Sequence, residues 1–220
     1  MINDNIPIKQ RLYIRFGKFD ALVYTSNLDV AKLWERVLRR ADLPILYSEG
    51  FNPRPRLALA SALPLGISSE CEILDVSLRE TIQLDGLIER LTAVSPPGLP
   101  VYSIVEVPLR SPALQTRVRS SEYRIELDES VDREKVKAQI DQLLQTDTLE
   151  QKRERKGKAM TINVRPLLCD LSLNENGDLM AHLIVGDQGN MRPDQVLEAM
   201  GLQDAYISIH RLHLHVDMSH

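Results

Sequence analysis

The chain has 220 residues and a mass of 25.0 kDa, which is enough for one larger domain or two small ones. Its composition, 43% hydrophobic and 26% charged, is typical of a globular protein. The net charge of −4 is divided unevenly, with +2 in residues 1–119 and −6 in residues 120–220. A mildly acidic chain argues against non-specific wrapping of nucleic acid, so a nucleic-acid contact requires a local basic surface.

The N-terminus and the cysteines indicate a cytoplasmic protein. The first ten residues, MINDNIPIKQ, lack the basic start and the apolar run of a signal peptide. No window approaches the roughly 20 apolar residues of a transmembrane helix, so no membrane contact is expected. Cys71 and Cys169 lie far apart, without metal or redox spacing, and are predicted to be buried strand thiols kept reduced.

The first half of the chain predicts the element order β-α-β-β-α-β. A capping box at Ser26–Asp29 begins a helix that ends near Ala41, because Pro44 disfavours helix at the residue before it. The apolar face of this helix is predicted to contain Leu28, Ala31, Trp34, Leu38 and Ala41. The other elements are strands at 11–16, 56–61, 72–78 and 101–107 and a helix at 81–93.

The same order recurs in the second half. Its predicted elements are strands at 122–127, 161–173, 178–185 and 206–216 and helices at 131–145 and 193–200. The longer helix directs Val136, Ile140, Leu143 and Leu144 inward, and Asn174–Gly177 is a strong hairpin signal between two strands. Pro193 fits the first turn of the last helix.

Two such units predict an α+β protein made of tandem ferredoxin-like (β-α-β-β-α-β) domains with antiparallel sheets. The first domain is predicted over 1–108 and the second over 121–220, joined by a polar linker at 109–120. A single larger α+β domain is the alternative, because the halves share a pattern of elements without sequence identity.

The segment 47–66, YSEGFNPRPRLALASALPLG, is the strongest candidate for a binding surface. Pro53 and Pro55 restrict the backbone around Arg54 and Arg56, which favours fixed guanidinium groups suited to phosphate or carboxylate. The alternative is structural pairing with an acid, for which the candidates are Glu49, Glu70 and Asp75.

The first helix carries a second group of basic residues. Lys32, Arg36 and Arg40 follow one another at i, i+4, with Arg39 beside them, and this face is predicted to bind phosphate groups. The alternative is a solvated face in which Glu35 pairs with Arg39.

A third basic group surrounds Gly157 in an expected hairpin or loop at 151–158. Its candidate anion-binding residues are Lys152, Arg153, Arg155, Lys156 and Lys158. A solvated loop is the alternative, and the segment has no aromatic side chain to stack on bases.

The sequence predicts neither a catalytic residue nor a metal. His213 and His215 share a face of the last strand and His210 lies opposite, but no Cys or carboxylate stands at ligand spacing. Asp29 and Asp75 have structural roles, as a helix cap and on the polar face of a strand. No phosphate-binding glycine motif, nucleophile elbow or zinc-protease motif is present.

Several stretches carry a resemblance to a known family. They are RLYIRFGK at 11–18, SNLD at 26–29, RRADLP at 39–44, the whole of 47–78, KGKAMTINVRP at 156–166 and NMRPDQVL at 190–197. Over most of its length the chain resembles the bacterial radical SAM-linked proteins, an uncharacterised domain encoded beside, or fused to, a radical SAM enzyme. The motif residues are Ser26, Asn27, Asp29, Tyr47, Ser48, Gly50, Phe51, Asn52 and Pro53. The family usually has His where Asn27 stands and often where Arg54 stands, so no role of those histidines is carried over.

The resemblance implies a radical SAM enzyme as partner, which would carry the iron–sulfur cluster. This chain lacks a three-cysteine motif and is expected to bind no cofactor. The resemblance and the basic groups together lead to the first hypothesis, that the chain is a non-catalytic RNA-binding or substrate-presenting subunit in RNA modification. One alternative is a stand-alone RNA-processing or RNA-modifying enzyme using Asp29, Tyr47 or Asp75. Another is a protein–protein scaffold that docks its partner through 47–66 without contacting RNA.

Overall fold

A computed structural model describes residues 7–155, 158–186 and 189–218, without the side chains of 152–155, 158 and 159. Within these ranges it contains four α-helices and ten strands, which confirms a mixed α+β fold with largely antiparallel sheets. The chain divides into two compact units. The first runs through Val118 and includes Asp217, and the second spans Arg119–Val216.

The first unit follows the predicted order of elements. Its strands are β1 (Gln10–Lys18), β2 (Leu57–Leu59), β3 (Ile67–Leu78) and β4 (Val101–Glu106), and its helices are α1 (Asn27–Arg40) and α2 (Leu87–Val94). The strands lie side by side in the order β4-β1-β3-β2, and each is antiparallel to its neighbour.

Helix α1 supplies the centre of the first core. Trp34 is fully buried and meets Phe16 of β1 edge to face, with ring centroids 4.9 Å apart. The buried residues of the helix are Val30, Trp34, Val37 and Leu38. The prediction that Leu28 faces the core is wrong, since its side chain is 75% exposed. The inward stripe begins at Val30, and Leu28 lies in the first turn on another side of the helix.

Both predicted helix starts of the first unit depend on local backbone chemistry. The Ser26 hydroxyl accepts the Asp29 N–H (3.2 Å) and donates to the Asp29 carboxylate (2.6 Å), so Ser26 caps α1 as expected. Helix α2 begins at Leu87, six residues later than the predicted start at 81. The reason is Gly86, whose φ of 69° is left-handed and incompatible with a continuing helix.

The second unit contains the remaining elements. Its strands are β5 (Val118–Leu127), β6 (Glu150–Arg155), β7 (Lys158–Asn163), β8 (Leu168–Leu173), β9 (Leu179–Ile184) and β10 (Tyr206–Val216), and its helices are α3 (Arg133–Gln145) and α4 (Pro193–Ala199). Four strands lie in the order β10-β5-β9-β8, while β6 and β7 pair as a separate hairpin. Val136 and Ile140 of α3 are buried as predicted.

The single strand predicted over 161–173 is wrong, because a turn at Arg165–Leu167 separates β7 from β8. Pro166 has no N–H for a strand ladder, and the Arg165 guanidinium donates to the carbonyls of Leu143, Leu144 and Leu168 instead. Of the two cysteines predicted to be buried, Cys71 is buried and Cys169 is exposed on β8.

The segment 109–120 has its own structure. A 3-10 turn spans Leu114–Arg117, Leu114 is fully buried, and β5 begins at Val118. The Arg117 carbonyl accepts the Asp217 N–H at 2.8 Å, which holds this part of the C-terminus on the first unit. No helix in the described part of the chain combines the length and apolar character needed to cross a membrane.

Candidate functional site

The segment 47–56 is a loop closed at its base. Tyr47 pairs with Pro55 as an antiparallel bridge. The Ser48 N–H donates to the Arg54 carbonyl (2.8 Å), and the Arg54 N–H donates to the Ser48 hydroxyl oxygen (2.9 Å). The Arg56 N–H donates to the Leu46 carbonyl at 2.7 Å. These bonds hold the backbone that carries both arginines.

The side chains of Arg54 and Arg56 are exposed. Within the described residues neither guanidinium makes a hydrogen bond or ion pair, so neither is paired with Glu49, Glu70 or Asp75. The backbone is therefore fixed by hydrogen bonds while both charged groups remain accessible to an anion.

Asp75 pairs with a different arginine. The Arg11 guanidinium donates to both Asp75 oxygens, at 2.9 and 2.6 Å, and two further bonds reach the carbonyls of Ser111 and Pro112. The hydrogen bond that Arg11 donates to Asp75 raises the pKa of Arg11 above its ordinary value. Arg11, Asp75 and the exposed Arg56 line one cavity of about 240 Å³. Asp75 had been a predicted candidate partner for Arg54 and Arg56, and no pattern along the chain indicated Arg11 instead.

Phe51 lies near the tip of the same loop and is completely exposed. Gly50, just before it, has a φ of 121°, a conformation that favours glycine. Asn52 and Pro53 are also exposed. The motif residues of this loop thus present an aromatic ring to solvent on a backbone that is closed at its base.

The basic residues of α1 are exposed as predicted, and Arg36, Arg39 and Arg40 line a cavity of about 320 Å³. The ordinary pair of Glu35 with Arg39 is not formed. Glu35 instead accepts a hydrogen bond from the Tyr47 hydroxyl at 2.9 Å, which links α1 to the base of the 47–56 loop. Burial, and then this contact with Glu35, raises the pKa of Tyr47.

The third predicted basic group falls largely outside the described residues. This holds for Lys156 and for the side chains of Lys152, Arg153, Arg155 and Lys158, although the backbone of β6 pairs with that of β7 as expected for a hairpin. Asn27 is exposed in the first turn of α1, beside the cap made by Ser26 and Asp29. The acid–base candidates occupy three separate structural roles. Asp29 caps α1, Asp75 is buried against Arg11, and Tyr47 donates to Glu35.

A cavity of about 690 Å³ in the second unit was not anticipated from the sequence. It lies between the start of β6 and α4, and its lining includes Gln151, Val164, Asn190, Arg192 and Gln195. Three of these residues belong to the NMRPDQVL stretch. That stretch is one of those that resemble the radical SAM-linked proteins, but no pattern along the chain indicated that it faces β6.

The C-terminal histidines lie as the alternation of β10 predicts. His213 and His215 are exposed and His210 is buried. Glu122 of β5 and His182 of β9 lie close to His215, so a carboxylate and two imidazoles from three strands meet on this face. This cluster has no ligand spacing within any one strand, so the sequence did not indicate it.

The architecture and this surface define an α+β protein with exposed, unpaired arginines on its first unit. Residues 11–193 match the family described as "Uncharacterized protein conserved in bacteria (DUF2344)", and the chain belongs to that family. Comparison with curated proteins gives no match.

A solved structure similar to this chain is the crystal structure of a Cbf5-Nop10-Gar1 complex. The identity is 11% and the TM-score is 0.45, over 92% of this chain and 48% of that chain. The chain therefore spans about half the length of that structure's chain. A likeness at this level carries no argument about function.

Proposed function

We propose that this protein is a non-catalytic, RNA-binding or substrate-presenting subunit that acts beside a radical SAM enzyme in RNA modification. The RNA-contacting residues are Arg36, Arg39, Arg40, Arg54 and Arg56, here called the arginine set. The observation that carries the proposal is that all five guanidinium groups are exposed and lack an acidic partner within the described residues.

The chemistry of the arginine set suits a phosphate backbone. A planar guanidinium binds two phosphate oxygens at once, and it remains charged at any physiological pH. The hydrogen bond between Tyr47 and Glu35 joins the two parts of the set, since Tyr47 also pairs with Pro55 between Arg54 and Arg56. The exposed Phe51 supplies a ring on which an unpaired base can stack.

The fold supports a binding role. We propose that each unit is a ferredoxin-like domain, because each has the order β-α-β-β-α-β once the β6–β7 hairpin is set aside. In each unit the sheet order is also fourth, first, third, second in terms of the unit's own strands. Such domains occur in proteins that bind RNA, which is support by analogy only. The radical SAM partner rests on the sequence resemblance.

RNA binding is tested by fluorescence polarisation with labelled tRNA and with a single-stranded oligonucleotide, at several salt concentrations. With about 4–6 phosphate contacts, log K should fall steeply with log salt, by about 0.7 per contact on a single strand. In the double variant R54A/R56A this slope should decrease by the amount expected for about two phosphate contacts. The matched control is R79A/R90A, which removes two exposed arginines elsewhere in the first unit. Equal binding by both double variants, or no binding of the parent protein at low salt, would contradict the proposal.

Phe51 also supports the alternative of a protein–protein scaffold, because an aromatic ring at the tip of a closed loop suits a partner's apolar pocket. The two functions are separated by recovering the protein from its native cells with and without nuclease treatment. Capture of a radical SAM enzyme that survives nuclease and high salt, and is lost in F51A, would favour the scaffold. Capture that requires RNA and is lost in R54A/R56A would favour the RNA-binding subunit.

A further inference from the structure

The register of strands β9, β5 and β10 in the second unit brings together three side chains that can bind a metal ion. Glu122 on β5 lies directly opposite His182 on β9, as Cα partners in the antiparallel ladder. Strand β10, which carries His215, lies on the other side of β5. Directly opposite side chains on neighbouring strands are about 5 Å apart at Cβ. The sheet thus places one carboxylate between two imidazoles.

The ligand atoms are already near one another. Each of the three residues offers one nitrogen or oxygen atom, and these atoms all lie within 4.8 Å of each other. His215 Nε2 is 2.6 Å from Glu122 Oε1, and the rings of His182 and His215 have centroids 5.2 Å apart. Nitrogen and oxygen ligands bind zinc at about 2.0–2.2 Å, which puts any two ligand atoms roughly 3.5 Å apart in a tetrahedral site. Small rotations of the side chains meet that requirement.

The imidazole of His182 also has the kind of hydrogen bond that is common for a metal-binding histidine. Its Nε2 is 2.8 Å from the hydroxyl oxygen of the buried Ser120, and no other hydrogen bond to this ring is present among the described residues. A metal-binding imidazole commonly donates its second N–H to such a partner, which fixes the tautomer and orients the ring. Nδ1, the other ring nitrogen, is without a hydrogen bond among the described residues and is the atom assigned to the ion in the proposal below.

We propose that Glu122, His182 and His215 bind a divalent transition-metal ion on the face that these side chains share on strands β5, β9 and β10. Two imidazoles and one carboxylate suit zinc and its first-row neighbours better than magnesium or calcium, which prefer oxygen ligands alone. Three protein ligands leave a coordination position for water or another ligand. The proposal does not depend on RNA binding, because the arginine set belongs to the other unit.

The open position has space beside it. Glu122 and His182 line a cavity of about 300 Å³ together with Asp170 of β8, which is the Cα partner of His182 on the side away from Glu122. Asp170 is exposed and makes no ion pair within the described residues. Its carboxylate adds negative charge that favours a cation in this cavity.

The test is isothermal titration of the full chain, without a histidine tag, with zinc chloride, and of matched samples with cobalt chloride followed by visible absorption. The parent protein should bind one ion per chain, and cobalt should give the absorption of a four- or five-coordinate site. H182Q and H215Q should each weaken zinc binding at least tenfold. At the same zinc concentration, zinc should also raise the Tm of the parent protein more than it raises the Tm of these variants.

The matched control is H213Q. His213 lies on the same face of β10, with its ring centroid 6.3 Å from that of His215, and it is not a member of the three-residue cluster. This variant should bind zinc as the parent protein does. E122Q is a further variant, because glutamine keeps a hydrogen-bonding group beside His215 and preserves the fold, and it should also weaken zinc binding.

Three results would overturn the proposal. The first is no zinc binding by the parent protein. The second is equal binding by the parent protein, H182Q and H215Q, which would indicate adventitious surface contacts. The third is an equal loss in H213Q and H215Q with no loss in H182Q, which would assign the ion to the two histidines of β10 alone. A circular dichroism spectrum matching that of the parent protein shows that each variant is folded.

Discussion

Arg11 and Arg56 line the same cavity of the first unit, and their roles differ completely. Arg11 is buried and makes two hydrogen bonds to Asp75. Arg56 is exposed and has no partner for its guanidinium among the described residues. A buried charge requires a partner of opposite charge, whereas an exposed charge is solvated by water and can bind a ligand. Burial and the position of the acid, rather than the residue type, decide which arginine is structural.

The largest expected effect is the loss of the partner of Arg11. Asp75→Ala leaves a buried guanidinium without its carboxylate, and we expect a loss of about 3–5 kcal/mol in the free energy of unfolding. Urea denaturation followed by circular dichroism measures it. A change below about 1 kcal/mol would mean that Arg11 reaches water readily and would remove the contrast with Arg56.

Tyr47→Phe tests the contact that joins α1 to the arginine loop. It removes the hydrogen bond to Glu35, and we expect a loss of about 1.5 kcal/mol because the acceptor is charged. The raised pKa of Tyr47 means that the neutral phenol is favoured in the folded protein. The stabilisation from its hydrogen bond is therefore complete below pH 10.0 and is lost as the pH rises through the pKa of the folded state. The stability difference between the parent protein and Y47F should therefore shrink in alkaline denaturation series. A constant difference would contradict this explanation.

Ser26→Ala tests whether an exposed polar pair can also be structural. Removing the cap of α1 should cost about 1 kcal/mol in thermal or urea unfolding at neutral pH. The Ser26 hydroxyl, as the main cause, lowers the pKa of Asp29 below its ordinary 3.8. The hydrogen bond from the Ser26 hydroxyl to the Asp29 carboxylate is present above pH 3.8 and is lost as the pH falls through the pKa of the folded state. The loss of stability caused by S26A should therefore be smaller in acid. Ser26→Thr keeps the hydroxyl group and should restore most of the stability.

The smallest expected effect is that of Arg56→Ala on folding. We expect a change within about 0.5 kcal/mol, because the side chain is exposed and unpaired. Measured beside D75A under the same conditions, this variant completes the comparison of the two arginines. A loss above about 1.5 kcal/mol would show that Arg56 has a structural partner, and it would weaken the case for RNA binding at that residue.

Elements whose ends are marked by capping residues or prolines were predicted with nearly correct bounds. Helix α1 was located well because Ser26 caps it and Pro44 follows it, and strands β1, β9 and β10 followed from alternation. Helix α2 and the division between β7 and β8 were misplaced where Gly86 and Pro166 were not given their full weight. These two errors were avoidable from the sequence, because both residue types act on the backbone locally.

The candidate sites could be predicted only in part. The neighbouring prolines predicted a restricted backbone at Arg54 and Arg56 but left open whether their side chains pair with an acid. The pairing of Asp75 with Arg11 depends on how β1 aligns with β3. The cluster of Glu122, His182 and His215 depends in the same way on cross-strand register. Register is set by packing of the whole sheet, so residues far apart along the chain give no spacing signal.

The β6–β7 hairpin pairs apart from the other strands of the second unit and is closed at its own base. Its base is held by the Val164 N–H donating to the Leu149 carbonyl at 2.8 Å, and by the Asn163 side chain, which accepts the Leu149 N–H at 2.9 Å. The loop-closure entropy of a chain grows only slowly with loop length, so ten residues added or removed beyond such a base change the free energy little. The protein can therefore vary this hairpin in length while strands β10, β5, β9 and β8 keep their register.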